Sequence, residues 1–533
     1  MCGIIAISGT ELETIDTQKY LQSLHPRGPD AQDCFLDDNV YMGFTRLSIN
    51  DLSSDGMQPM QNEDKTVSLI CNGEIYNHKE IAKRHDFDIK SQSDCEVVLH
   101  LYLKYRNSLS FSDFVLELDG EFAFVIYDKS KDLMLACRDR HGVRPLFRGT
   151  LTTPTNTTLA FASELKALTF CEDVHQVQPG TYETTCRRSF VNNVMYYSLY
   201  FNDRVSKYEN QYDTEEIVLE SINKYFRKAV EKRLMSERPI CCLLSGGLDS
   251  SLVSALVASH FPPKTVHTFS IGFEGSPDLY YARKVADHIQ SVHHEVIVTE
   301  EEFLHHIEET IRVIESYDTT SVRASVGNLL VAKYISNHTD HKVVFNGDYS
   351  DEVCGGYKYF KNAPSAADFD LECKRLVTDI CYFDSLRSDR TVSSQGLEAR
   401  VPFSDHDFVS YYFGIPVELR MRPDKYLLRK AFEKDHLLPE EILWRPKEAF
   451  SDGVSKKEHS WHTILKNHIN SMVSDEEFAN HDSTTNKPLL KETYYYQKIF
   501  NRYYKKYTDI IPYFWMPKWC DESLLDPSAR EIV

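Results

Sequence analysis

The chain reads as two unlike domains. An α+β sandwich of antiparallel sheets is expected over residues 2–200, and an α/β domain with a parallel sheet and a helical C-terminal part over 214–533. Three observations predict this. Up to about residue 200, short apolar stretches alternate with turn residues, the pattern of packed antiparallel strands. From Thr214 onward the period changes: helical patterns alternate with short apolar runs, as in a parallel sheet covered by helices. Between the two, residues 200–213 (YFNDRVSKYENQYD) are polar without periodicity, and 201–213 are taken as the linker.

The strands of the first domain are expected in CGIIAIS, VYMGFTRLSI, VSLICNGEI, GEFAFVIYD, LMLACRD and TLAFAS, with one helix over 94–105. The second domain opens with a helix over 215–234, where Ile217, Val218, Ile222, Phe226, Val230 and Leu234 recur at helical spacing. Strand 241–244 then leads to a helix ending near 260, strand 267–273 to a helix over 278–290, and strand 294–298 to a helix from 301. Strand 342–345 runs into a loop rich in Gly and Asp. The tyrosine-rich run 494–507 carries Lys and Arg between its rings. It reads as an amphipathic helix packing tyrosines inward, not as a stacking platform for bases.

Composition narrows the function classes. The apolar fraction of 42% and charged fraction of 26% are those of an ordinary globular chain. With 60 Lys and Arg against 80 Asp and Glu, the net charge of −20 repels phosphate, so neither nucleic acid nor an anionic membrane is an expected partner. No apolar run approaches the roughly 20 residues that span a bilayer. The start MCGIIAISG lacks the basic region of a secretory signal. Thirteen cysteines without C-x-x-C spacing read as reduced thiols, which points to the cytoplasm.

Two constellations carry chemistry. In the first, Cys2 would become residue one once Met1 is removed, and its freed α-amino group could act as base for its own thiol. Arg46-Leu47-Ser48-Ile49-Asn50, Asn72-Gly73-Glu74 and Asp94 follow in order. An Arg can hold an α-carboxylate, an Asp an α-ammonium, and an Asn amide with the next N–H an oxyanion. In the second, Ser245-Gly246-Gly247-Leu248-Asp249-Ser250 joins a strand to a helix, so backbone N–H groups and the helix dipole face an anion. No Lys follows the glycines, which excludes the Walker loop. Ile271 ends the next strand. Asn346-Gly347-Asp348 and Asp351 lie after another, where carboxylates suit Mg²⁺. Arg445-Pro446-Lys447 comes later, in RPKEAFSDG.

The first set resembles the class II glutamine amidotransferase domain, an N-terminal-nucleophile sandwich. The second matches S-G-G-x-D-S, the pyrophosphate loop of enzymes that split ATP between its α and β phosphates. Together, in this order and over nearly the whole chain, they resemble the glutamine-hydrolysing asparagine synthetases. The resemblance implies that Cys2 is the nucleophile, that Asn72 and Gly73 stabilise the oxyanion, and that Arg46, Glu74 and Asp94 hold glutamine within the stretches 46–50 and 72–74. It implies ATP contacts from Leu243, Ser245, Gly246, Gly247, Asp249, Ser250, Ile271, Asn346 and Gly347. Mg²⁺-pyrophosphate would sit on Asp249 and Asp351, and Lys447 would stabilise developing charge. Arg323 and Arg400 are candidates for the aspartate pocket, and a homodimer is a possible assembly. Asn50 and Pro26 depart from the family pattern. So does Asp348, which stands where the family has Glu and is one methylene shorter, and Tyr349, which replaces a glycine. The expected activity is asparagine formation from aspartate, ATP and glutamine. The alternatives are an amide ligase for another carboxylate and an impaired synthetase.

Overall fold

The computed structural model describes residues 1–10, 12–154, 157–186, 189–200, 214–448, 453–456, 459–481, 483, 485–521 and 525–527. The expected linker 201–213 and residues 449–452 of the RPKEAFSDG stretch lie outside the described residues. The chain divides into two compact units. One holds residues 1–202, 235–238 and 393–398, and the other holds 203–234, 239–392 and 399–533.

In the first unit β1 (Gly3–Ser8), β2 (Ala31–Asp37), β3 (Val40–Arg46), β4 (Met60–Gln61), β5 (Val67–Ile75), β6 (Gly120–Asp128), β7 (Leu133–Arg138), β8 (Phe147–Thr152), β9 (Thr157–Ala162), β10 (Asp173–Gln176), β11 (Thr181–Cys186) and β12 (Ser189–Met195) form two sheets. Their orders are β10-β8-β9-β1-β3-β2 and β12-β11-β7-β6-β5-β4, with antiparallel pairing. Strand alternation explains the layering. On β6, Ala123, Val125 and Tyr127 join Ile4, Ala6, Met42 and Phe44 in the core between the sheets. Phe122, Phe124 and Ile126 face the other way, onto Val98, Leu101, Tyr102 and Phe114. That outer layer comes from α3 (Glu96–Tyr105) and α4 (Ser112–Glu117), which follow α1 (Thr17–Ser23) and α2 (His78–His85). The sequence predicts only the helix at 94–105. The other three are six to eight residues long, and α1 and α2 each bury a single side chain, so no apolar period forms.

The second unit begins with α5 (Glu215–Lys232), capped by the Thr214 hydroxyl. Strands β13 (Ile240–Leu243), β14 (His267–Gly272), β15 (Val292–Ile297), β16 (Val343–Phe345) and β17 (Glu398–Arg400) give the order β15-β14-β13-β16-β17, with β13 parallel to both its neighbours. Helices α6 (Leu248–Ala258) and α7 (Pro277–His288) cross between successive strands. The chain thus leaves β13 toward one side for β14 and returns on the other side as β16. The crevice at the carboxyl ends of β13 and β16 is the topological switch point, where open α/β sheets bind ligands. In the predicted tyrosine helix, now Lys491–Tyr504, Tyr496 and Tyr504 point inward but Tyr503 is exposed.

Candidate active sites

The first constellation gathers at the start of β1 and along β5. Asn72 and Gly73 lie on β5, paired with Ala123 and Phe122 of β6. The Asn72 side chain is fully buried, and neither its Nδ2 nor its Oδ1 has a hydrogen-bond partner among the described residues. Leaving a buried amide without a partner costs about 1–3 kcal/mol per group. Asn50 Nδ2 donates to Glu74 Oε2 at 2.5 Å and lies 3.5 Å from Asp94 Oδ1. The residue that departs from the family pattern therefore bridges the two carboxylates read as amine holders. Asp94 also accepts from Ile75 N at 2.6 Å, and burial pushes its carboxyl above the usual range. Arg46 turns two guanidinium nitrogens to main-chain carbonyls, Ser53 O at 2.6 Å and Asp51 O. Ser48 N is held by Asp30 Oδ2 at 2.8 Å.

Cys2 Sγ faces Leu47 O at 3.7 Å. Burial pushes the thiol up to about 11, so it is protonated at neutral pH. The α-amino group in this chain belongs to Met1. It is buried, lies 3.3 Å from Glu398 Oε2, and is made less basic by desolvation. Glu398 belongs to LEARVPF, a motif whose sequence gave no hint of this position.

The second constellation lines a cavity of about 270 Å³ at the switch point. Leu243, Ser245, Gly247, Asp249, Ser250, Ile271, Asn346, Gly347, Asp348, Asp351 and Lys447 all face it. Gly246 does not. Its φ of 71° makes the turn, and a side chain there would strike Ala282 N. Arg323 lines the cavity but is engaged by Glu492 and Asp526, at 2.7 and 2.9 Å. Arg400 is away from the cavity, donating to Arg233 O at 2.6 Å.

Charge organises this cavity. Lys425 Nζ lies 2.7 Å from Asp249 Oδ2 and 2.6 Å from Asp351 Oδ1. Lys447 Nζ lies 2.5 Å from Asp351 Oδ2 and 3.8 Å from Asp249 Oδ2. Burial alone would raise the Asp351 carboxyl, but Lys425 and Lys447 outweigh it and hold the group well below the usual range. Lys447 is likewise kept protonated by Asp351 and Asp249 against its burial. Sequence reasoning missed Lys425, an isolated lysine before the helix Tyr426–Phe432. It also missed Arg387, which pairs with Asp348 at 2.6 Å. Burial pushes Asp348 up despite that pair, and pushes Glu352 up to about 8, with Asp384 and Asp351 adding to the effect. Tyr349 adopts φ 76°, the left-handed region that favours glycine, and its buried hydroxyl meets Ser385 Oγ at 2.5 Å.

Known families match along these two regions. A glutamine amidotransferase domain model matches residues 1–210, and an asparagine synthase model matches 221–375 and 363–523. The class is therefore an amidotransferase joined to a synthase. A probable glutamine-hydrolysing asparagine synthetase of Acanthamoeba polyphaga mimivirus is 39% identical over 99% of this chain and 99% of its own. The asparagine synthetases of Homo sapiens and Gallus gallus are 40% and 41% identical over 100% of this chain and 99% and 98% of theirs. Among solved structures, the glutamine phosphoribosylpyrophosphate amidotransferase of B. subtilis covers 48% of this chain and 64% of its own at 18% identity, with a TM-score of 0.31. The chain belongs to the glutamine-hydrolysing asparagine synthetase family.

Proposed function

We propose that this chain makes asparagine from aspartate, ATP and glutamine, with an amidotransferase domain over 2–200, a linker at 201–213 and a ligase domain over 214–533. Cys2, freed of Met1, attacks the glutamine carboxamide. Its own amine takes the thiol proton, which the Cys2 nitrogen could not do while it is the amide of a Met1–Cys2 peptide bond. Asn72 Nδ2 and the Gly73 N–H receive the oxyanion, Arg46 takes the α-carboxylate, and the Asn50-bridged pair Glu74 and Asp94 takes the ammonium. Leu47, Ser48 and Ile49 shape the wall beside the thiol. Ammonia released there is the nucleophile of the second reaction.

In the ligase cavity Ser245, Gly247 and Ser250 cradle phosphate at the start of α6, while Leu243, Ile271, Asn346 and Gly347 contact the nucleotide. The aspartate side-chain carboxylate attacks the α-phosphate, giving β-aspartyl-AMP and pyrophosphate, and ammonia displaces AMP. Lys447 stabilises the charge that builds on the phosphate, and Asp348, steered by Arg387, assists from the other side. A Mg²⁺ ion fits this donor set. Asp249 and Asp351 converge on one cation, occupied here by the Lys425 ammonium, and Mg²⁺ typically takes one or two carboxylates with the rest from phosphate and water. Among the described residues no cluster of three His, Cys, Asp or Glu could hold a metal alone. When bound, the ion would neutralise the pyrophosphate leaving group. No helix among the described residues is long and apolar enough to cross a membrane, and we place the reaction in the cytoplasm.

The observation that carries this reading is the paired burial of two reactive sets in one chain: the Asn72 amide, without a partner among the described residues, in the domain that carries Cys2, and a two-lysine, two-aspartate cluster at the switch point. The test is production of asparagine and pyrophosphate from aspartate and ATP, first with glutamine and then with ammonium, against a panel of other carboxylic acids. Mass spectrometry of the active protein should find Cys2 at the N-terminus. Normal glutaminase activity from chains that all retain Met1 would reject the amine-as-base step.

A further inference from the structure

The RPKEAFSDG stretch has so far contributed only Lys447, and it meets the start of α7, Ser276-Pro277-Asp278-Leu279, at one carboxylate. Asp278 sits in the first turn of α7, buried in the wall of the ligase cavity. Arg445 Nη2 donates to its Oδ1 at 3.2 Å, and the guanidinium lies over the Tyr281 ring of the same helix, 4.0 Å from its centroid. Arg445 is fixed from behind, because its carbonyl accepts from Arg429 Nη2 at 2.9 Å. Gly453 packs so closely on the Asp278 carboxylate that a Cβ there would collide with both oxygens. The next residue, Val454, accepts through its carbonyl from Phe273 N at 2.9 Å. One carboxylate thus meets both Arg445 and Gly453. Lys447, two residues after Arg445, lies 2.5 Å from Asp351.

We propose that Asp278 is a positioning residue for the ligase reaction: it ties Arg445 to Gly453 and so fixes where the Lys447 ammonium, two residues after Arg445, meets the reacting phosphate. This rests on the reading of Lys447 given above. An ångström-scale misplacement of such a group costs roughly 10²-fold in rate, which is why a residue with no contact to the substrate can matter. The charged groups facing Asp278 are Arg445, Glu448 and Lys447. Burial, with a smaller push from Glu448, raises its carboxyl to about 7 against the pull of Arg445. The carboxylate that grips Arg445 is therefore gained as pH rises through neutrality and lost as it falls, so turnover should fall on the acid side.

Asp278→Asn, which keeps the size and removes the charge, tests this in the full-length enzyme with ammonium as donor. The expected result is a tenfold to hundredfold lower kcat, of the order set by such misplacement, with the KM for ATP nearly unchanged. The acid-side fall near pH 7 should disappear, and amide hydrogen exchange at 447–448 and 453–455 should be faster. Gly453→Ala, which pushes on the Asp278 carboxylate without removing its charge, should lower kcat in the same way and decides the matter if Asp278→Asn folds poorly. On a Lys447→Ala background, Asp278→Asn should add little to the loss of pyrophosphate release. The tie is overturned by the same loss on both backgrounds, or by amide exchange and a pH profile like those of wild type. If Lys447→Ala alone leaves synthesis intact, the reading of Lys447 fails first.

Discussion

At the amino-terminal site the Asn72 amide stands in the core without partners among the described residues, whereas in the ligase cavity Asp249 and Asp351 are matched by Lys425 and Lys447. On the reading proposed above, the difference follows from what each reaction must receive. Glutamine is a small zwitterion and its oxyanion forms only during reaction, so donors fixed on strand β5 would meet it already in place. ATP arrives with several charges, and an unmatched cluster awaiting it in a buried cavity would be costly. Two lysines and two carboxylates balance within the cluster, and on the proposed reading they would exchange partners when phosphate enters.

The comparison breaks most visibly if the sites are not chemically separate. Cys2→Ala should abolish glutamine-dependent synthesis and leave ammonium-dependent synthesis standing. Asp351→Asn should do the reverse, stopping synthesis and sparing glutaminase. Loss of both activities in either folded variant would contradict the separation. Next in size is Asn72→Ala. Losing one oxyanion donor should lower glutaminase kcat by about 10²- to 10³-fold, with the KM for glutamine little changed, as steady-state kinetics would show.

Asp348→Asn should slow aspartate-dependent pyrophosphate release by about 10²-fold. Asp348→Glu should match or exceed wild type, because the shorter side chain already has Arg387 to steer it. An active enzyme indifferent to Asp348→Asn would remove this residue from the mechanism. The smallest effect is expected at Tyr349→Phe. Loss of the hydroxyl bonded to Ser385 should cost about 1 kcal/mol of stability, read from urea unfolding, with little change in rate.

Much of this was legible in the sequence, for identifiable reasons. Strand and helix alternate over 240–345 with enough length for each period to declare itself, and the S-G-G-x-D-S turn sits where strand β13 ends. The helices Thr17–Ser23, His78–His85 and Ser112–Glu117 were too short to show a period. Lys425 was illegible because no spacing marks it. It stands at φ 58° before a short helix, and only the fold brings it between two aspartates 176 and 74 positions away (425 − 249 and 425 − 351). Arg400 was one of two candidates for the aspartate pocket, yet its guanidinium serves the Arg233 carbonyl. Asn50 read as a mere departure, and the fold puts its amide against Glu74 and within 3.5 Å of Asp94. In each case the residue type was visible and its neighbours were not, because those contacts span dozens to hundreds of residues.

The account turns on aspartate being activated by adenylation in the second unit, and isotope transfer reads that step directly. Wild-type protein would be given ATP, glutamine and aspartate carrying heavy oxygen in its side-chain carboxylate. The account predicts one labelled oxygen in the AMP formed with each asparagine, and none in pyrophosphate. Formation of ADP, or of AMP without label, would contradict it.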